Sequence, residues 1–121
     1  MGGRNYQDLI AWQKAMDLVE GVYAVSRLLP RDETYGLVSQ IRRASVSVPC
    51  NIAEGQGRGS DAEFVRFLWI AHSSLREVET QLLLAERLGY VNPKNIQTLV
   101  ESSAEVGRLI RGLINAKKRS A

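Results

Sequence analysis

The chain has almost none of the side chains on which site chemistry usually rests. It carries one cysteine, Cys50, and one histidine, His72, in 121 residues. A lone cysteine excludes an internal disulfide, so nothing points to secretion. One His and one Cys do not make a ligand cluster, so no metal site is expected. His72 then reads as a structural residue at a helix surface or interface. No Ser or Cys has a recognisable base and orienting partner in the sequence, which leaves nucleophilic catalysis without a signature. Glu77 and Glu79 are two apart and face different ways on a helix, while Glu101 and Glu105, four apart, mark a solvated face. The reading is a non-enzymatic chain that needs no cofactor. No apolar run approaches the roughly 20 residues that span a bilayer, and Met1-Gly2-Gly3-Arg4 lacks an apolar signal region. A cytoplasmic protein without membrane association is expected.

What the chain does have is an ordinary core composition, 45% hydrophobic and 24% charged. That suits one domain over residues 1–121, with about 1–5 and 117–121 as flexible ends. A net charge of +3 permits contact with nucleic acid without requiring it. Its distribution is more informative: after Glu105 every charged residue is basic, namely Arg108, Arg111, Lys117, Lys118 and Arg119.

Apolar periodicity predicts four helices. Asn5 or Asp8 caps the first, in which Leu9, Trp12, Met16, Val19 and Tyr23 form a heptad-like stripe. Ala11, Ala15, Leu18, Val22, Val25 and Leu29 form a second stripe beside it, as expected of a helix that meets another subunit or simply has a wide core face. Leu29-Pro30 ends this helix, and acidic Asp32 and Glu33 open the next, which runs to about Glu54. Gly55-Gln56-Gly57-Arg58-Gly59 closes it, since glycine takes left-handed dihedrals readily. Ser60 and Glu63 form a capping box for a third helix of about 40 Å, with Phe64, Leu68, Ala71, Leu75, Val78, Leu82 and Ala85 facing inward. Gly89 stops it. Asn92-Pro93 starts a fourth, carried by Ile96, Leu99, Val100, Ser103, Val106, Ile110, Leu113 and Ile114 to a frayed basic tail. Short connections imply an all-α, antiparallel up-down-up-down four-helix bundle.

The second helix holds the least ordinary residues. Leu37, Ile41, Ala44, Val48 and Ile52 share its core face, and Gln40, Arg43, Ser47, Asn51, Glu54 and Arg58 share a polar one. Pro49 predicts a kink, with the hydroxyls of Ser45 and Ser47 placed to help satisfy freed carbonyls. Alternation across Ala44 to Val48 also fits a short strand, but no partner run exists to pair with it.

Two readings of the polar face stand side by side. Glu54 and Arg58 at i, i+4 make a weak surface pair. Alternatively Arg43, Asn51 and Glu54 join a polar network between subunits. The glycine-rich turn lacks the strand and spacing of a dinucleotide loop; it reads as a helix-to-helix turn, with Arg58 holding one phosphate as the sharper option. Arg108, Arg111 and Lys118 share one face of the fourth helix, either as a solvated end favoured by the helix dipole or as a phosphate-binding stripe.

Several runs carry a resemblance: Tyr6-Gln7-Asp8-Leu9 with Trp12-Gln13-Lys14-Ala15, Gln40-Ile41-Arg42-Arg43-Ala44, Ser47 to Gly55 with its Asn-Ile-Ala-Glu-Gly segment, and Ser74 to Leu82. Across nearly the whole chain they resemble the four-helix-bundle proteins encoded in intervening sequences of bacterial large-subunit ribosomal RNA genes. Those proteins are similar in fold to the accessory variability protein of diversity-generating retroelements, a barrel-shaped homopentamer that acts with a reverse transcriptase and RNA. The resemblance implies a homo-oligomer, a pentamer, that binds RNA or DNA. Ser74 stands where the resemblance leads one to expect glycine, which loosens the expectation of tight packing there.

The combined expectation is a bundle contacting phosphates through Arg42, Arg43, Arg58, Arg108, Arg111, Lys117, Lys118 and Arg119, with Ser47, Asn51 and Glu54 in a subunit interface or polar network. The rival is a protein-interaction module, an accessory subunit of a larger complex such as one with a reverse transcriptase.

Overall fold

The computed structural model describes residues 5–120. Four helices account for most of them: α1 (Ile10–Ser26), α2 (Leu37–Gln56), α3 (Asp61–Arg87) and α4 (Pro93–Ser120). No strand occurs among the described residues, so the Ala44–Val48 alternation is helical. Each helix packs on its neighbours in the cyclic order α1, α2, α3, α4, and the diagonal pairs do not meet. That is the up-down-up-down bundle the short connections predict. Of the ends expected to be flexible, about 1–5 and 117–121, residues 1–4 and 121 lie outside the described residues; α4 runs to Ser120.

The core follows from the helical stripes. Ile41, Val48 and Ile52 of α2, Leu68, Val78 and Leu82 of α3, and Val106, Ile110 and Ile114 of α4 are all but fully buried. In α1 the second stripe is the core one: Ala11, Ala15, Leu18 and Val22 are buried, while Met16 of the heptad-like stripe is 41% exposed. Small Ala11 and Ala15 let α1 lie close to its neighbours, which pushes the bulkier stripe to the flank.

Several helix ends differ from expectation. Asn5 caps only a 3₁₀ turn over Tyr6–Asp8, and α1 starts after it at Ile10, with Leu9 at the N-cap position and no side-chain cap. Arg31–Glu33 is likewise a separate 3₁₀ turn. The Glu33 carboxylate nevertheless serves α2, accepting from the Leu37 backbone N–H at 3.0 Å and from the Tyr90 hydroxyl at 2.8 Å. One carboxylate thus fastens the α1–α2 connection to the α3–α4 connection. Both hydrogen bonds, the backbone one first, hold Glu33 below the usual carboxylate range.

α2 continues unbroken through Pro49 to Gln56, past the expected end at Glu54. The serine hydroxyls do not cover the carbonyl that Pro49 frees. Ser45 Oγ donates to the Arg42 carbonyl and Ser47 Oγ meets Ser74. Gly55 does not terminate the helix; it is buried inside it, and only Gly59 of that run has a positive φ, 87°. Ser60 Oγ accepts from Glu63 N–H, but the Glu63 carboxylate turns to Arg66, so only half of the capping box forms. Gly89, at φ 83°, closes α3, with Tyr90 N–H on the Ala85 carbonyl and Gly89 N–H on that of Glu86, a Schellman motif. Asn92 and Asn95 then cap α4 reciprocally at 2.9 and 3.0 Å.

Candidate nucleic-acid interface

The polar face of α2 lies against α3. Ser47 Oγ and Ser74 Oγ are 2.9 Å apart, and Asn51 Nδ2 donates to both the carbonyl and the hydroxyl of Ser47 at 2.8 and 2.9 Å. Ser74 is buried and paired, so the site keeps tight packing without the expected glycine. Glu54 stands apart from this cluster and instead accepts from Arg58 at 2.9 Å, the i, i+4 surface pair. Arg43 reaches only Ser39, at 3.4 Å. It borders an open groove of about 530 Å³ between α2 and α3, shared with Tyr35, Gln40, Glu77 and Gln81.

The predicted cations fall into three groups rather than one patch. Arg42 is half-buried: its Nε donates to Ser26 Oγ at 2.8 Å and its guanidinium lies 4.6 Å from the Tyr23 ring centroid, which locks it against α1. Arg58 stacks 4.9 Å from the Phe67 centroid, with Arg66 at 4.7 Å from the same ring and Lys117 6.0 Å from Phe64. Glu54 and Glu63 largely neutralise that end of the bundle. α4 carries the third group. Arg108, Arg111 and Lys118 are exposed on one face, with Arg119 beyond them, and no carboxylate pairs with these four among the described residues.

Arg108 and Arg111 also border a cleft of about 150 Å³ between α3 and α4, together with His72, Arg76, Ser103 and Gly107. Sequence reasoning set His72 aside, placed Ser103 only in the inward stripe of the fourth helix, and did not consider Gly107. Their signal was spacing: Ser103, Gly107 and Arg111 follow one another at four residues on α4, facing His72 and Arg76, four apart on α3. His72 is held below its ordinary pKa of 6.5, first by burial and then by Arg76 and Arg111, with Glu79 opposing. Among the described residues no group of His, Cys, Asp and Glu could hold a metal ion, and no helix is long and apolar enough to cross a membrane.

Known proteins add two findings. The family profile described as 23S rRNA-intervening sequence protein matches residues 7–112. The chain belongs to this family. A solved protein of unknown function from the S23 ribosomal protein family of Bacteroides thetaiotaomicron superposes with a TM-score of 0.80. It is 24% identical and covers 87% of this chain and 98% of its own, a likeness that speaks for the fold alone. No curated protein matches the chain. The Asn51–Gly55 run that carries the intervening-sequence resemblance is a packing device here: Asn51 braces Ser47, Ile52 is fully buried, and Gly55 admits Phe67.

Proposed function

We propose that the protein is a non-enzymatic, self-associating helical bundle that binds nucleic acid, structured RNA in preference, through phosphate contacts. The observation that carries this reading is the α4 stripe, where Arg108, Arg111, Lys118 and Arg119 stand exposed with no carboxylate partner among the described residues. Arginine pairs bidentately with phosphate oxygens, and a row of unneutralised cations along a helix supplies the electrostatic footprint for a polyanion. Membership of a family named for a 23S rRNA intervening sequence supports RNA over DNA. Arg42 and Arg58 contribute less, because Ser26 and Glu54 already hold them.

Self-association is supported by apolar side chains that the bundle leaves uncovered. Trp69, Ile70, Leu83 and Leu84 on α3, with Leu88 just past its end, are 39–53% exposed, and Leu83 and Leu84 flank a shallow apolar hollow. Exposed apolar area of this kind marks protein contact. A pentamer is the assembly that the resemblance implies. The same face supports the rival reading, an accessory subunit that docks a different protein such as a reverse transcriptase.

Affinity for a structured RNA and for duplex DNA across a salt series, with mass measured in solution in the same buffer, tests both parts. The expected result is an oligomer whose log affinity falls linearly with log salt. Arg108→Gln with Arg111→Gln should flatten that slope by about two. An oligomer without affinity for either polyanion would replace the nucleic-acid reading with the docking one.

A further inference from the structure

Ser103 is 2% exposed, and its hydroxyl has no hydrogen-bond partner. Buried hydroxyls are normally paired, so a free one needs a cause. Ser103 borders the α3–α4 cleft. One turn along α4, Gly107 keeps the floor of that cleft open: a β-carbon there would stand 3.7 Å from Leu75 Cδ1 and 3.8 Å from His72 Nε2. The walls are strongly cationic. Arg108 and Arg111 come from α4 and Arg76 from α3, against one carboxylate, Glu79, which Arg76 holds at 3.4 Å.

We infer that this cleft binds a single phosphate group, gripped by Arg108 and Arg111, with Ser103 donating from the floor and His72 at its side. Guanidinium forks match phosphate oxygens, and a buried hydroxyl donor without a partner gains a hydrogen bond when an anion reaches it. At about 150 Å³ the cleft is less than a third of the α2–α3 groove at about 530 Å³, and suits one oxyanion rather than a nucleobase. The inference rests on the phosphate-binding reading above and names its anchoring point, which either an RNA backbone phosphate or a free phosphate would fill.

His72 makes the site sensitive to pH. The charged groups around it are Arg76 and Glu79 on α3 and Arg108 and Arg111 on α4, and the Trp69 ring stands edge-on with centroids 5.6 Å apart. In the empty cleft burial and the arginines disfavour the imidazolium; a phosphate reverses the local charge and draws a proton onto the ring. By linkage, binding a backbone phosphodiester strengthens as pH falls from the raised pKa of the bound state toward the depressed pKa of His72, and levels off below it.

His72 is the only histidine in the chain, so its ring resonances report without ambiguity. The experiment titrates them by NMR in inorganic phosphate and in chloride at matched ionic strength, then with a structured RNA whose affinity is measured in parallel. The His72 pKa should be higher in phosphate than in chloride. That difference should vanish in Arg111→Gln and shrink in Ser103→Ala, with phosphate affinity about tenfold lower or more. Ser103→Ala removes only an unpaired hydroxyl, so it should fold normally and keep the test decisive. Identical His72 curves in the two salts, with RNA bound yet His72 unmoved, would overturn the cleft and leave the nucleic-acid reading standing. A phosphate response without RNA affinity would keep the cleft as a free-phosphate site and remove the nucleic-acid reading.

Discussion

Gly55 of α2 faces Phe67 of α3 so closely that a β-carbon on the glycine would stand 2.5 Å from the Phe67 Cβ and 3.2 Å from Phe64 Cδ1. The contact fixes how near the two helices approach. It also seats the Phe67 ring beneath Arg58 and Arg66.

Gly55→Ala should therefore destabilise the bundle although alanine is the better helix former. The propensity gain is about 1 kcal/mol, while overpacking against a β-carbon that cannot swing aside costs roughly 1–3 kcal/mol. The net expectation is a lower melting temperature by a few degrees, on the order of 2–6 °C. A melt at or above the parent's would remove the packing role of Gly55.

On α1, Leu18→Ala should lower stability by about 2–5 kcal/mol through lost burial and the cavity left behind. Met16→Ala should stay within about 0.5 kcal/mol, because its side chain is 41% exposed. Urea midpoints at constant slope separate the two. Comparable losses would mean that the heptad-like stripe, not the alanine-flanked one, is the core.

The serines offer a paired contrast. Ser74→Ala breaks the bond to Ser47 and should cost on the order of 1 kcal/mol, whereas Ser103→Ala discards a hydroxyl with no partner and should cost nothing or stabilise slightly. Chemical denaturation of both variants checks this. Equal losses would imply that Ser103 makes a hydrogen bond after all.

The Glu33–Tyr90 hydrogen bond predicts how stability varies at both ends of the pH scale. Glu33 is held below 4.5, so its contribution is present above that value and lost as pH falls through its depressed pKa. Tyr90 is raised above 10.0, chiefly by donating to Glu33, so its contribution is present below 10 and lost as pH rises through the raised value. His72 adds to the acid limb: the unfolded chain takes up its proton near 6.5 before the folded one does, so stability declines as pH drops below that point. Tyr90→Phe should flatten the alkaline limb and leave the neutral-pH fold intact. An unchanged alkaline limb in thermal melts of that variant would show that the hydrogen bond does not contribute in solution.

Much of the bundle was legible in the sequence because helical periodicity is local. Leu37, Ile41, Ala44, Val48 and Ile52 recur at helical spacing wherever they end up, as do the seven inward residues of α3, and all are buried. Gly89 and Asn92-Pro93 marked their turns because left-handed backbone and a proline-started helix leave few alternatives. Family membership was legible in the Asn51–Gly55 run for a different reason: its residue choices exceed what a helix alone requires.

Only the tertiary structure decided what depends on neighbours distant in the chain. It chose between the two stripes of α1 by bringing Ala11 and Ala15 against other helices. It turned Gly55 from a helix stop into a contact with Phe67, and gave the Glu33 carboxylate both α2 and Tyr90. It also divided one list of basic residues into arginines already engaged by Ser26 or Glu54 and arginines left open on α4, and it set His72 across from Ser103 and Gly107. Periodicity says which side of a helix is apolar; which helix meets that side, and which charge finds a partner, is settled by packing between segments that the sequence keeps far apart.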